Sequence, residues 1–188
     1  MTRVITFLLA ALLVLAPLPA EAASSSVADA ARDQTHGDLW SKYRKQRKAS
    51  DLRRARFAVA SGKLTLTWTF ADDPSLSRAY HSVGMSGHIK GKLLTFGAWR
   101  HRGTSYTFIA TGLGDETKEY CAGKASVSLK PAKHQVVLKV PVKCLPKGRV
   151  ITGPYPATYL GVVKKNGIYE GTVASDSSVA APDLRIRG

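Results

Sequence analysis

Apolar and polar residues alternate with a period of two along most of the chain after Asp51. The clearest stretch is a half-buried strand with a threonine-rich outer face, in which the apolar positions are Leu64, Leu66, Trp68 and Phe70. An alternating segment at 52–60 precedes it across Ser61-Gly62, so the two segments predict a hairpin with Trp68 in the core.

Three more hairpins are predicted from the same kind of pattern. Asn166-Gly167 stands between two β-rich runs, which is the strongest short hairpin signal. The predicted pairs are 93–99 with 106–111 around the turn at 101–104, 125–130 with 135–142 around the turn at 131–134, and 159–163 with 168–173.

Four consecutive hairpins predict at least eight short strands with no helix between them. Such strands bury their apolar faces most simply when two sheets pack face to face. The predicted fold is therefore all-β: one antiparallel β-sandwich, jelly-roll or immunoglobulin-like, over residues 51–188. A closed barrel is the alternative.

Residues 1–22 have the three-part plan of a cleavable secretory signal peptide. Arg3 is followed by an apolar run of 13 residues, and Ala20-Glu21-Ala22 places small residues where a signal peptidase cuts. A helix of that run is about 20 Å long, too short for a hydrocarbon core of about 30 Å. The sequence thus predicts a secreted, extracellular protein without a transmembrane anchor.

Residues 23–50 are predicted to be a flexible basic arm, because small and polar residues lead into a dense basic run at 42–48 without apolar periodicity. The chain carries a net charge of +15, which favours polyanionic partners. The alternative is that the charge only keeps an exported protein in solution, and nucleic acid is not expected as a physiological partner. The candidate polyanion contacts, within segment 42–56, are Lys42, Arg44, Lys45, Arg47, Lys48, Arg53 and Arg54.

The two cysteines, Cys121 and Cys144, are predicted to form a disulfide. Their midpoint falls in the turn at 131–134, so they meet across the open end of the third hairpin. In an oxidising compartment two such thiols are usually paired.

Several short motifs resemble exported bacterial β-sandwich proteins. The segments at 33–38, 50–53 and 62–67 resemble an opening in which a D-x-x-GD segment precedes a strand, and 121–123 with 140–145 is similar to a cysteine-bracketed hairpin of small secreted actinobacterial proteins. The resemblance implies a sandwich akin to family 9 carbohydrate-binding modules and DOMON domains. Haem binding is not carried over, because no suitable methionine–histidine pair is apparent.

Signatures of catalysis are missing from the sequence. It contains no nucleophile elbow, no zincin motif and no phosphate-binding glycine loop. We therefore expect no enzymatic activity and no organic cofactor. The ends of the sandwich are expected to bring carboxylates together, which predicts a Ca²⁺ site; the alternative is that these aspartates are turn and arm residues. The candidate ligands are Asp33, Asp38, Asp51 and Asp176.

Aromatic side chains on an exposed sheet face can stack on sugar rings. Trp99, Tyr106 and Tyr120 are the candidates, although core packing is the commoner role of an aromatic residue in a strand. Two functions are thus expected: a non-catalytic extracellular module that binds a glycan or another cell-envelope polymer, or a polyanion-binding protein that uses segment 42–56.

The predicted cleavage site has a direct test. Protein recovered from the culture medium should begin at Ala23, or within one residue of it, in N-terminal sequencing. Recovery of chains that retain Met1 would contradict the signal peptide.

Overall fold

Two antiparallel β-sheets pack face to face in this protein, as the alternating pattern predicts. The computed structural model describes residues 23–43, 47–74, 79–101, 104–111, 118–119, 121, 123–147, 150–163 and 169–186, and the predicted signal peptide lies outside them. Within these ranges no helix is long and apolar enough to cross a membrane.

Thirteen strands and three short 3₁₀ turns make up the described elements. The turns are Arg47–Ser50, Pro131–Lys133 and Val142–Cys144. The strands are β1 (Ala23–Ala28), β2 (Thr35–His36), β3 (Leu52–Ala60), β4 (Lys63–Phe70), β5 (Ala79–Ile89), β6 (Lys92–His101), β7 (Thr104–Thr111), β8 (Lys118–Glu119), β9 (Ser126–Lys130), β10 (Gln135–Pro141), β11 (Val150–Val163), β12 (Tyr169–Ser177) and β13 (Leu184–Arg185).

The smaller sheet has the strand order β1-β3-β4-β10-β9, and the larger one has β2-β12-β11-β5-β6-β7-β8, with β13 paired to β11. The core lies between them, because each strand turns one set of alternating residues inward. Burial of each large apolar side chain there stabilises the fold by roughly 1.5–3 kcal/mol. The largest fully buried side chains include Phe57, Leu66, Trp68, Phe96 and Leu138.

The first three predicted hairpins are confirmed as the antiparallel pairs β3–β4, β6–β7 and β9–β10. Both strands of the fourth are confirmed as β11–β12. The Asn166-Gly167 turn itself lies outside the described residues. Trp68 is completely buried, as the alternation in β4 predicts.

Two parts of the architecture differ from the sequence-based expectation. No strand was expected between residues 71 and 92, yet β5 is the central strand of the larger sheet. Its inward residues Val83, Met85 and Ile89 do alternate, but Gly84 and Gly87 interrupt the β-rich composition. Hydrogen-bonded pairing with β11 on one side and with β6 on the other stabilises β5 despite its low β propensity.

The prediction of a separate flexible arm over 23–50 is wrong for most of that segment. β1 pairs with β3 along six residues. Main-chain hydrogen bonds make this contact, so β1 joins the sheet although its side chains are small and mostly polar. β2 pairs with β12, and Ala49 and Ser50 are buried. Of the basic run, residues 44–46 lie outside the described part.

Part of this segment completes the interior beside the two sheets. Leu39, Trp40 and Tyr43 pack against a small second cluster formed by Leu160, Val173 and Ala174. The Thr158 hydroxyl donates to the Ser50 carbonyl at 2.9 Å, which ties the 3₁₀ turn to β11.

Cys121 and Cys144 form the predicted disulfide, with their Cα atoms 5.4 Å apart. The cysteines lie five residues beyond Ser126 and Lys139, the last paired residues at the open end of the β9–β10 hairpin. The bond thus clamps that end, while Val136, Leu138 and Val140 point into the core.

Replacement of both cysteines by Ser should lower the free energy of unfolding by about 2–4 kcal/mol, because the disulfide restricts the unfolded chain. Urea unfolding of the variant, compared with oxidised wild-type protein, measures this loss, and reduced wild-type protein should resemble the variant. Two free thiols in the mass spectrum of unreduced protein would contradict the pairing.

Candidate functional site

The outer face of the larger sheet carries a row of aromatic and hydroxyl side chains. In an antiparallel sheet, directly paired residues point to the same side. Trp99 of β6 pairs with Tyr106 of β7 on one side and with Ser82 of β5 on the other, and Ser82 pairs with Tyr159 of β11. Ala98 and Val83, next to them in sequence, are buried in the core, so this row faces away from it.

Three rings of this row and its neighbour lie close together. The Trp99 and Tyr106 rings stack with centroids 5.3 Å apart and planes at 21°, and Phe108 lies 5.8 Å from Trp99. Tyr106 is 47% exposed. Gly97 gives the Phe108 ring room, because a Cβ there would come within 3.0 Å of the ring and would clash with the Val83 carbonyl.

Small and hydroxyl-bearing residues fill the rest of the face. The row next to Trp99 contains Phe108, Gly97, Gly84 and Ala157, and the one after it contains Ala110, Thr95, Ser86 and Tyr155. The Tyr155 hydroxyl bonds the Ser177 hydroxyl at 2.6 Å, and those of Tyr159 and Thr172 are 2.7 Å apart.

We call these three rows on β11, β5, β6 and β7 the aromatic face. None of their twelve positions carries a charged side chain, although the chain contains 28 lysines and arginines. The members of the aromatic face are Trp99, Tyr106, Ser82, Tyr159, Phe108, Gly97, Gly84, Ala157, Ala110, Thr95, Ser86 and Tyr155.

The structure thus places two of the three predicted aromatic candidates side by side on an accessible surface. Tyr120, the third, lies outside the described residues. Sequence analysis missed Phe108, Tyr155 and Tyr159. The alternation within β7 and β11 places them opposite the buried positions, but only the strand register brings them beside Trp99.

Two of the predicted polyanion residues line a pocket, and a polyanion-binding role for the set stays a prediction. Lys48 and Arg53 line a pocket of about 550 Å³, whereas Lys42 and Arg54 are not among its lining residues. The Lys42 ammonium lies 5.3 Å from the Tyr43 ring centre. Arg44 and Lys45 lie outside the described residues, as does the side chain of Arg47.

Of the predicted calcium ligands, the structure brings Asp33 and Asp176 together and adds Asp29. One carboxylate oxygen from each lies within 4.8 Å of the others. Asp51 is buried close by, but its carboxylate pairs with Arg53 at 2.9 Å and accepts from the Arg32 backbone N–H at 3.4 Å. Asp29 gave no sequence signal, because it lies in the segment expected to be an arm.

Asp38, the fourth predicted ligand, does not belong to this cluster. Its carboxylate accepts from the Thr172 backbone N–H at 2.7 Å and packs against Gly171, where there is no room for a Cβ. Thr172 is four residues from Asp176 along β12, about 13 Å at the rise of a strand. Asp38 therefore holds an irregular part of β12, and its assignment to a shared metal site is wrong. Calcium binding at the other carboxylates stays a prediction.

Burial governs the ionisation of this cluster. The pKa of Asp176 is raised to about 7, first by desolvation and also by the charges of Asp29 and Asp33, although its carboxylate accepts from the Leu52 and Ser177 N–H groups. Desolvation and the charge of Asp33 also raise the pKa of Asp29, whose buried Oδ2 has no hydrogen-bond partner among the described residues. Two ionised carboxylates cannot bond each other, so a hydrogen bond between Asp29 and Asp176 requires a proton on one of them.

The raised pKa of Asp176 predicts that stability falls as the pH rises. The folded protein holds a proton that the unfolded chain releases near pH 3.8, so the contribution is complete below about pH 4 and is lost towards pH 7. At 1.36 kcal/mol per pKa unit the full shift corresponds to about 4 kcal/mol, and screening by solvent reduces the expected loss to on the order of 3 kcal/mol. Urea unfolding from pH 4 to 8 with EDTA present measures it.

Asp176→Asn should flatten this dependence, because the amide is neutral at every pH. Asp72→Asn, at an exposed position, is the matched control and should keep the wild-type slope. Parallel profiles for wild type and Asp176→Asn would contradict the assignment.

Comparison of the chain with protein-family models, with curated proteins and with solved structures found no match. The resemblance to family 9 carbohydrate-binding modules and DOMON domains therefore stays a prediction, and the geometry of the surfaces carries the functional argument.

Proposed function

We propose that this protein is a secreted, non-catalytic binding module that holds a neutral glycan segment of the cell envelope on its aromatic face. The observation that carries the proposal is the stacked, accessible pair of Trp99 and Tyr106 within the aromatic face, whose twelve positions carry no charged side chain. A sugar ring presents C–H groups on its faces and hydroxyls at its rim. It therefore suits a surface that offers flat rings beside hydroxyl side chains.

The charge distribution supports a neutral ligand. A protein with a net charge of +15 exposes basic side chains over much of its surface, as at Arg54, Arg56 and Lys139. A polyanion would be attracted to such regions, whereas the aromatic face offers it no cation. The interactions that the aromatic face can make with a ligand are therefore ring stacking and hydrogen bonds from its hydroxyl groups.

The side chains of the aromatic face support binding rather than catalysis. They contain hydroxyl, aromatic and aliphatic groups but no carboxylate, imidazole or thiol. General acid–base catalysis needs a group that changes protonation near the working pH, and nucleophilic catalysis needs an activated nucleophile. Within the three rows, no side chain could act as a general base to activate the hydroxyl of Ser82 or Ser86.

Export rests on two independent features. The first 22 residues have the plan of a signal peptide. The Cys121–Cys144 disulfide fits an oxidising compartment, where such bonds persist.

The proposal predicts binding that depends on Trp99 and Tyr106 and resists salt. Retention of the purified protein on cell-wall polysaccharide should persist at 0.5 M NaCl, because stacking is not screened by ions. The variant Trp99→Ala/Tyr106→Ala should bind about tenfold or more weakly, equivalent to about 1.4 kcal/mol. Quenching of Trp99 fluorescence by the bound glycan reports the same contact.

Val179→Ala is the matched control, because Val179 is 72% exposed and lies outside the aromatic face. It should bind like the wild type. Equal binding by wild type and the double variant would contradict the proposal. Retention abolished by salt would instead favour the alternative, a polyanion-binding protein that uses the basic segment 42–56.

A further inference from the structure

A second surface, distinct from the aromatic face, is a pocket between β2, the 3₁₀ turn at Arg47–Ser50 and the start of β3. Its volume is about 550 Å³, within the size range of small-molecule sites. No residue of the aromatic face lines it. The lining residues are Arg32, Gln34, His36, Trp40, Lys48, Asp51, Arg53 and Ala71.

The pocket lining is dominated by cations. Arg32, Lys48 and Arg53 face a single lining carboxylate, that of Asp51. Arg32 and Lys48 are exposed to solvent, so their charged groups are accessible to a ligand. The lining therefore carries a net charge of about +2 at neutral pH, which favours an anion.

Asp51 orients one of these cations, and it neutralises only one of the three positive charges in the lining. Its side chain is 3% exposed, and its Oδ2 lies 2.9 Å from Nη2 of Arg53. A guanidinium has five N–H donors in a rigid fork, and this bond engages only one of the two Nη atoms. The group is thus oriented before a ligand arrives, which lowers the entropic cost of binding.

The neighbouring carboxylates of Asp29, Asp33 and Asp176 oppose an anion less than their number suggests. Burial raises the pKa of Asp29, and it raises that of Asp176 to about 7, so Asp176 carries less than its full negative charge near neutral pH.

One wall of the pocket is aromatic. The rings of His36 and Trp40 stack with centroids 3.6 Å apart and planes at 17°. Trp40 is held by the cluster around Leu160, and β2 is held by its pairing with β12. A flat wall next to an oriented guanidinium and two further cations suits a ligand that joins a ring to an oxyanion, and such a ligand fills the volume better than an inorganic ion does.

We infer that this pocket binds the acidic group of a sugar, a carboxylate or a phosphate, with the sugar ring against the His36–Trp40 wall. Arg53 supplies oriented guanidinium donors, and Arg32 and Lys48 close around the charge. The site is independent of the proposed function, because it shares no residue with the aromatic face.

The test is titration of the purified ¹⁵N-labelled protein with glucuronate, glucose 6-phosphate, inorganic phosphate and glucose, followed by amide NMR. At least one acidic sugar should bind with 1:1 saturation and shift the amides of residues 32–36 and 48–53. Its affinity should exceed that of inorganic phosphate by about tenfold or more, and glucose should leave these amides unchanged. The stronger of the two acidic sugars identifies the natural acidic group.

Arg32→Gln/Lys48→Gln should weaken this binding at least tenfold. Both residues are exposed, so the fold is retained and the Asp51–Arg53 pair is preserved. Lys130→Gln/Lys139→Gln removes the same charge from exposed positions of β9 and β10 and should change the affinity less than twofold.

Three results would overturn the inference. They are no saturable binding of either acidic sugar, equal weakening in the two double variants, and inorganic phosphate binding as tightly as the stronger of the two acidic sugars. Because neither variant alters the aromatic face, each of these results leaves the glycan proposal to its own test.

Discussion

Everything in this molecule depends on the burial of one face of each sheet against the other. Strands β3, β4 and β10 turn Phe57, Trp68 and Leu138 towards Met85 and Phe96 of the larger sheet. Since the period of a strand is two, burial of one face presents the other face to solvent. The outward residues of the larger sheet are therefore not needed for the core, and the twelve of them that make up the aromatic face carry no charged side chain.

The segment before β3 extends this core and creates the second surface. Without it, the inner side of β11 and β12 next to the smaller sheet would expose Leu160 and Ala174. The segment is held there by main-chain pairing of β1 and β2 and by the bond from the Leu52 N–H to Asp176 at 2.7 Å. The same segment leaves a pocket between β2 and the turn before β3. It therefore both covers the apolar cluster around Leu160 and lines the pocket.

In the two proposals, the surfaces divide the chemistry of a glycan between them. The aromatic face suits neutral rings because it offers stacking and hydroxyls, whereas the pocket suits an acidic substituent because Arg53 is fixed by a buried carboxylate. Binding at one does not require binding at the other. Their different dependence on salt separates the two contributions in any measurement on a natural polymer.

The sequence by itself determined the alternating strands, three complete hairpins, the sandwich and the Cys121–Cys144 pair, since each is encoded by residues close together in the chain. Only the tertiary structure decided that β1 joins the edge of a sheet, that β5 is central, and that Asp29 meets Asp176. The physical reason is that period two specifies which side a residue takes within its strand. Strand order and register, which are set by pairing between distant segments, specify which residues share that side.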